Sequence, residues 1–336
     1  MVPLKKARIA VLALMFLLPF SPFAFSGNWE EQRVIDRSNE FENRMANLFN
    51  GRRESVVRVS GYFQREDGTM GVRTGSGFFV REDGCVVTTA GAVEGAGEIL
   101  VEYGSRVYRA AVLGVDLPTN LAVLRPLAEE QGSFSHFSLG DGQPLPEPTT
   151  PLLGITCEAG LDPSPCLGVV CGHHICYGTH YFPTTYLRTS LPSNAGAPGS
   201  PVFDLRGGFV GILMASIPQV NGSFLLPARA VRRILCDLLI GGTTQYAYVG
   251  LGTRLSRDEN GECVVRVDRV DPESPAAAAK ITVGDRILAI DDQPILGVAE
   301  LHDLLFFATP NGSLSLRLLR GSETLRVLVR TTSRQF

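Results

Sequence analysis

Breaks govern this chain: 36 glycines and 21 prolines stand among its 336 residues, and they are spread along the whole length. Glycine and proline end regular elements, so the chain folds into many short segments joined by tight turns. Between the breaks lie runs rich in β-branched and aromatic residues. They cover 56–59, 76–80, 85–88, 99–103, 107–113 and 121–124, with Asp83-Gly84 as a hairpin turn. Runs resume at 152–156, 167–171, 185–190, 201–204 and 209–215, before a helical stretch over 228–240 that Gly241-Gly242 stops. About a dozen strands and a closing helix predict a mostly β domain of two small barrels. A short linker follows at 241–245. Beyond it, strands near 249–255, 263–270, 286–291, 314–319 and 324–330, with helices at Pro275–Lys280 and Val298–Phe307, predict a small α+β sandwich. Ahead of both, residues 29–49 read as one amphipathic helix.

The first 26 residues are of another kind. Lys5, Lys6 and Arg8 precede an apolar run from Ile9 to Leu18, and Ala24-Phe25-Ser26 offers small residues at cleavage spacing. That is the pattern of a secretory signal peptide. A membrane span needs about 20 apolar residues, and Pro19 and Pro22 interrupt the run. Cleavage near Ser26 would export the chain to the periplasm or beyond. It removes three positive charges and takes the net charge from −3 to −6. At 44% hydrophobic the sequence is too apolar for a disordered protein, and no single-sign charge block marks a nucleic-acid binder.

Four of the seven cysteines, Cys157, Cys166, Cys171 and Cys176, fall close together with His173, His174 and His180. Such density suits disulfides, a thiolate–imidazole metal site, for which Cys171, His173, His174 and Cys176 are the candidates, or cysteines left unpaired. The spacings do not form paired C-x-x-C motifs. Export makes disulfides among the four the plainer account, and neither a metal nor another cofactor is expected. Cys85, in a strand run, and Cys236, assigned to the apolar face of the 228–240 helix, are expected to be buried.

The order of motifs resembles the HtrA family of exported trypsin-fold serine proteases. Gly75-Ser76-Gly77-Phe78-Phe79-Val80, Asp83-Gly84 and Val87-Thr88-Thr89 match its opening strands. Leu113-Gly114-Val115-Asp116 and Thr119-Asn120-Leu121-Ala122-Val123-Leu124 match the segment that carries the family's aspartate. Asn194-Ala195-Gly196 with Gly199-Ser200-Pro201-Val202 matches the segment that carries its serine. The resemblance implies a double six-stranded β-barrel over 55–242, preceded by a helical segment over 27–54. It also implies a homo-trimer formed through the N-terminal segment.

The catalytic residue types are missing from the matching positions. Gly91 stands where the family has histidine, Asn120 where it has aspartate and Pro198 where it has the nucleophilic serine. A serine protease needs an imidazole to take the serine proton, a carboxylate to orient it and a hydroxyl to attack. The oxyanion hole is affected as well: Gly196 retains its N–H as a remnant donor, but Pro198 has none.

Residues 243–336 resemble a PDZ domain. Tyr248-Val249-Gly250-Leu251 match its carboxylate-binding loop, and Asp271-Pro272-Glu273-Ser274-Pro275 match its first helix start. Val283-Gly284-Asp285-Arg286-Ile287 continues the match, with Asp285 as a turn-former. Leu301, Leu304 and Leu305 would line the side-chain pocket. Lys280 replaces the family's usual glycine, so the turn there is expected to differ. The resemblance implies binding of C-terminal peptides or unfolded segments by strand addition. Together these readings describe an exported HtrA-like pseudoprotease that works by binding, as a chaperone, an adaptor or the regulator of a partner protease. The alternatives are an active serine endopeptidase with a displaced site, and a metal- or redox-linked protein built on 157–180.

Overall fold

The computed structural model describes residues 27–127, 133–140, 144–217, 219 and 222–334; the leader reading over 1–26 lies outside them. Contacts divide the chain into a unit ending at Asn43 and a compact unit from Arg44 onward. Helix α1 (Gly27–Arg52) crosses that division. Its last turns belong to the second unit, where Leu48 and Phe49 pack on the core and the Arg52 guanidinium lies over Phe137 and Phe203.

The first barrel closes β1 (Val56–Gln64), β2 (Met70–Phe79), β3 (Val86–Thr89), β4 (Glu98–Tyr103), β5 (Arg106–Asp116) and β6 (Leu121–Pro126), with a single turn of helix α2 (Ala90–Val93) after β3. The second closes β7 (Pro151–Thr156), β8 (Ser164–Tyr177), β9 (His180–Thr189), β10 (Pro201–Asp204), β11 (Phe209–Ile217) and β12 (Gly222–Pro227). Closure removes sheet edges. It also explains why strands such as Leu121-Ala122-Val123-Leu124 are apolar throughout rather than alternating. Leu121 and Val123 face the core between the barrels, while Ala122 and Leu124 fill the first barrel.

Helix α3 (Ala228–Gly241) packs Ala230, Val231, Ile234, Leu235 and Leu238 inward and ends on Gly242 at φ 71. Cys236 is exposed, against expectation. It follows Leu235 by about 100° of helix rotation, which carries it off the buried stripe. The expected linker is no loose tether, because Thr244 and Tyr246 are buried.

The C-terminal module holds β13 (Tyr246–Tyr248), β14 (Leu251–Arg257), β15 (Cys263–Val270), α4 (Pro275–Ala278), β16 (Arg286–Ile290), β17 (Gln293–Pro294), α5 (Val298–Phe307), β18 (Ser313–Arg320), β19 (Glu323–Arg330) and β20 (Thr332–Arg334). The main sheet runs β14-β15-β16-β18-β19, with β17 on β16, while β13 pairs with β20. Lys280 takes the left-handed conformation itself, at φ 58. No helix among the described residues is long and apolar enough to cross a membrane.

Candidate functional site

Chain reversals after β3 and β5 bring Gly91 and Asn120 together. Gly91, in α2, donates its N–H to Asn120 Oδ1 at 2.8 Å. Asn120 sits at φ 59 between β5 and β6, and its carbonyl accepts the N–H of Ala90 at 2.9 Å. The asparagine therefore ties down the otherwise unsatisfied first turn of α2. The two residues are thus linked by a hydrogen bond from the Gly91 main chain to the Asn120 side chain. Arg73 reaches the Gly91 carbonyl at 3.4 Å, its guanidinium stacked on Phe63.

The segment at the nucleophile position is held from below by Ser76. The Ser76 hydroxyl donates to the Gly196 carbonyl at 2.8 Å and accepts the Cys157 N–H at 2.9 Å, and its N–H donates to the Pro198 carbonyl at 2.8 Å. Pro198 presents neither hydroxyl nor N–H. Ser200 is fully buried, and its hydroxyl donates to the Ala197 carbonyl at 2.6 Å. The histidines have their contacts elsewhere: His136 with the Phe134 carbonyl, His173 with the Pro146 carbonyl, His174 with Arg188, His180 with Phe182 and His302 with Tyr181.

The cysteine–histidine segment departs from expectation. The seven cysteines are free thiols. Segment 164–189 forms the long β8–β9 hairpin. Cys166, Cys171 and Cys176 lie five residues apart on one strand, roughly 16 Å per step at strand rise, whereas a disulfide needs Cα atoms within about 7 Å. Cys157 is buried beyond the end of β7, and Cys166 pairs with Gly154 three residues back from it. The expected disulfide is therefore corrected to free thiols. Burial pushes the thiol of Cys157 up to about 11 and that of Cys166 to about 12, which keeps both protonated and unreactive. Among the described residues no three His, Cys, Asp or Glu side chains gather as a metal site.

The second site is built around the loop joining β13 to β14. The Val249 carbonyl accepts the Ala276 N–H and the Gly250 carbonyl accepts the Asp271 N–H, each at 2.9 Å. With the carbonyls so engaged, the N–H groups of Val249 and Gly250 have no backbone acceptor among the described residues. Two such amides at a strand start form an anion-binding concavity. Tyr248 braces the loop through its hydroxyl, which donates to Asp271 at 2.7 Å. Beside the loop, β14 is an edge strand. A cavity of about 50 Å³ opens there, lined by Val249, Leu251, Thr253, Ile290, Leu301, His302, Leu305 and Leu316. Leu304, expected to line it, is not among the lining residues; it is half-buried against the module's core, as Leu305 is. His302 and Thr253 were not foreseen. For His302 the available signal was its place between two lining leucines on α5.

Helix α5 is also fixed to the second barrel. Asp303 accepts the Thr184 hydroxyl at 2.6 Å and the Thr185 N–H at 2.7 Å, and it pairs with Arg229. At the chain crossing, Tyr246 donates to the buried Asp116 carboxylate at 2.8–2.9 Å. Asp116 in turn holds Thr119, the residue before Asn120.

Comparison with known proteins gives the same layout. A trypsin-like peptidase domain model matches residues 75–212 and a PDZ domain model matches 249–331. The chain is 30% identical over 277 residues to a putative serine protease HhoA of Synechocystis sp., across 73% of this chain and 67% of that protein. It is 29% identical over 257 residues to a probable periplasmic serine endoprotease DegP-like of Halomonas elongata, across 73% of this chain and 53% of that one. The solved HtrA-type protease AlgW with tripeptide shares the fold, with a TM-score of 0.74 at 20% identity over 86% of this chain and 97% of that one. This chain thus spans about half to two-thirds of the length of these curated relatives.

Proposed function

We propose that this chain, which belongs to the HtrA family of trypsin-like peptidases carrying a PDZ domain, does not cleave peptides and acts by binding them. The observation that carries the reading is the Gly91–Asn120 contact, a 2.8 Å main-chain hydrogen bond where catalysis needs an imidazole on a carboxylate. Without a triad, such enzymes keep a residual rate of roughly 10³–10⁴ over water from the oxyanion hole and binding. Loss of one oxyanion donor, as at Pro198, removes about 10²–10³ of rate. The residues proposed to bind the peptide are Tyr248, Val249, Gly250, Leu251, Leu301 and Leu305, together with His302, which lines the same cavity.

The Halomonas relative's name, a probable periplasmic serine endoprotease, and the leader pattern over 1–26 support an exported protein. Its work there would be envelope protein quality control, as chaperone, adaptor or regulator of a partner protease. The trimer implied by the family belongs to the same proposal and is read by light scattering.

The test has two arms. Purified protein incubated with unfolded casein and fluorogenic peptides should give no turnover; turnover that tracks the protein through purification overturns the reading. Peptides with free C-termini should bind in the micromolar range, about −8 kcal/mol. Amidation removes the charge-assisted hydrogen bonds and should weaken binding about ten- to a hundredfold. Equal affinity of acid and amide rejects the carboxylate site.

A further inference from the structure

The outward face of the C-terminal sheet carries arginines directly opposite arginines. Arg254 on β14 faces Arg266 on β15, Arg266 faces Arg286 on β16, and Arg317 on β18 faces Arg326 on β19. Arg330 extends the row on β19, opposite Ser313. Their strand neighbours Val265, Ile287, Leu316 and Leu318 are buried in the core, so these six side chains share the opposite face. Like charges directly opposite one another destabilise a sheet, and neutral residues would serve folding better.

The acids on this face do not balance the row. Asp258 pairs with Arg286, Asp292 pairs with Arg326, Asp291 is engaged with the Ser315 N–H, and Asp268 lies on β15. Arg266 donates to the Gly284 carbonyl, which leaves its charge uncompensated, and no ion pair to Arg254, Arg317 or Arg330 occurs among the described residues. Leu328, 64% exposed, stands among them. The cationic face belongs to an otherwise acidic protein of net charge −3.

We propose that this face docks on an anionic phospholipid surface. Three features select that occupant. The guanidinium fork matches phosphate oxygens two at a time. The charges spread over a plane of five strands, roughly 20 Å across, whereas a peptide would meet a single line of them. An exposed leucine among the arginines can enter the headgroup layer while they hold phosphates. The peptide cavity lies on the other side of the sheet, under α5, so docking leaves it open.

The test is co-sedimentation of the full chain with vesicles of phosphatidylcholine alone or with phosphatidylglycerol added, at about 0.05 M salt and again at about 0.3 M, where screening is stronger. Binding should require phosphatidylglycerol and fall with salt. Each arginine near such a surface is worth about fivefold in partitioning, so the double variant Arg254→Gln/Arg317→Gln should lose about twenty- to thirtyfold. A control of equal charge, Arg65→Gln/Arg206→Gln, should lose less than about threefold. Neither pair makes an ion pair here, and thermal melts confirm that the variants fold. The proposal is overturned if phosphatidylglycerol vesicles do not bind at low salt, if both double variants lose equally, or if inorganic polyphosphate binds the face while vesicles do not.

Discussion

Gly91 and Gly250 stand at the centres of the two candidate sites, and the chain around each treats its glycine differently. Gly250 has φ +80, and a Cβ there would lie 2.2 Å from the Ser274 Cβ. Only glycine satisfies both the backbone and the close approach to the N-cap of α4. Gly91 has ordinary helical backbone and is exposed, and the nearest atom to its would-be Cβ is Asn120 Oδ1 at 3.4 Å. Nothing in the fold demands glycine there. One glycine is required by its backbone and its neighbours; the other stands where the fold leaves room for a side chain. The barrels are held together by their packed cores, so their fold does not depend on what stands at position 91.

The largest effect that sharpens this contrast is expected from Gly250→Ala. Left-handed backbone costs a non-glycine residue about 1–2 kcal/mol, and overpacking adds about 1–3 kcal/mol. Urea unfolding should report a loss of about 3 kcal/mol, with C-terminal peptide binding abolished. Retained binding would show that the loop does not need its shape.

Next comes Tyr246→Phe, which probes how the two regions are joined. The Tyr246 hydroxyl is bonded to the buried Asp116 carboxylate, and its own ionisation is pushed far up by burial and by that carboxylate. Removing it should destabilise by about 2 kcal/mol. It should also separate the unfolding of barrels and PDZ domain into two transitions. A single transition at unchanged midpoint would mean the junction is held by packing of Tyr246 on Phe306 alone.

Much of this was legible in the sequence because it depends on local pattern. The strand runs, the stop at Gly241-Gly242 and the motif order locate both barrels and the loop at Tyr248–Leu251. Asp285 was read as a turn-former, and its carboxylate does accept the Thr282 N–H and the Arg320 guanidinium. What was missed depends on distant partners. β13 pairs with β20, Tyr246 against Arg334, across a separation no periodicity reveals. The full length of the β8–β9 hairpin was hidden because the apolar runs at 167–171 and 185–190 stop short of it; Cys176 pairs with Tyr181 and Tyr177 with His180. The disulfide expectation failed for the same reason, since strand pairing, not cysteine spacing, sets Cα distances. Leu304 was assigned to the pocket from its apolar character alone, which does not fix which half-buried leucine faces the cavity.

A smaller effect is expected at Asp285, remote from both glycines. The Arg320 guanidinium beside it holds the carboxyl below its usual range, helped by the Thr282 N–H. The fold therefore favours the charged form. That contribution is present above the unfolded carboxyl value of about 3.9 and is lost as pH falls through the lower folded value. Asp285→Asn should cost about 1–2 kcal/mol at neutral pH, and the gap to the parent protein should close in acid. A gap independent of pH would assign the effect to shape rather than charge.

The smallest effect, Gly91→Ala, bears most directly on the comparison. Glycine inside a helix is less stable than alanine by about 0.5–1 kcal/mol, because the unfolded glycine chain has more conformations to lose. Helix α2 is a single turn, so the lower end of that range applies. The added methyl meets Asn120 Oδ1 at 3.4 Å and leaves the Gly91 N–H bond in place. Alanine should therefore raise the melting temperature by about 1–2 °C, with peptide binding unchanged and peptidase turnover still absent. A loss of stability above about 1 kcal/mol would mean the backbone at Gly91 needs glycine as Gly250 does. The empty histidine position would then be a requirement of this fold rather than a place where a side chain was free to disappear.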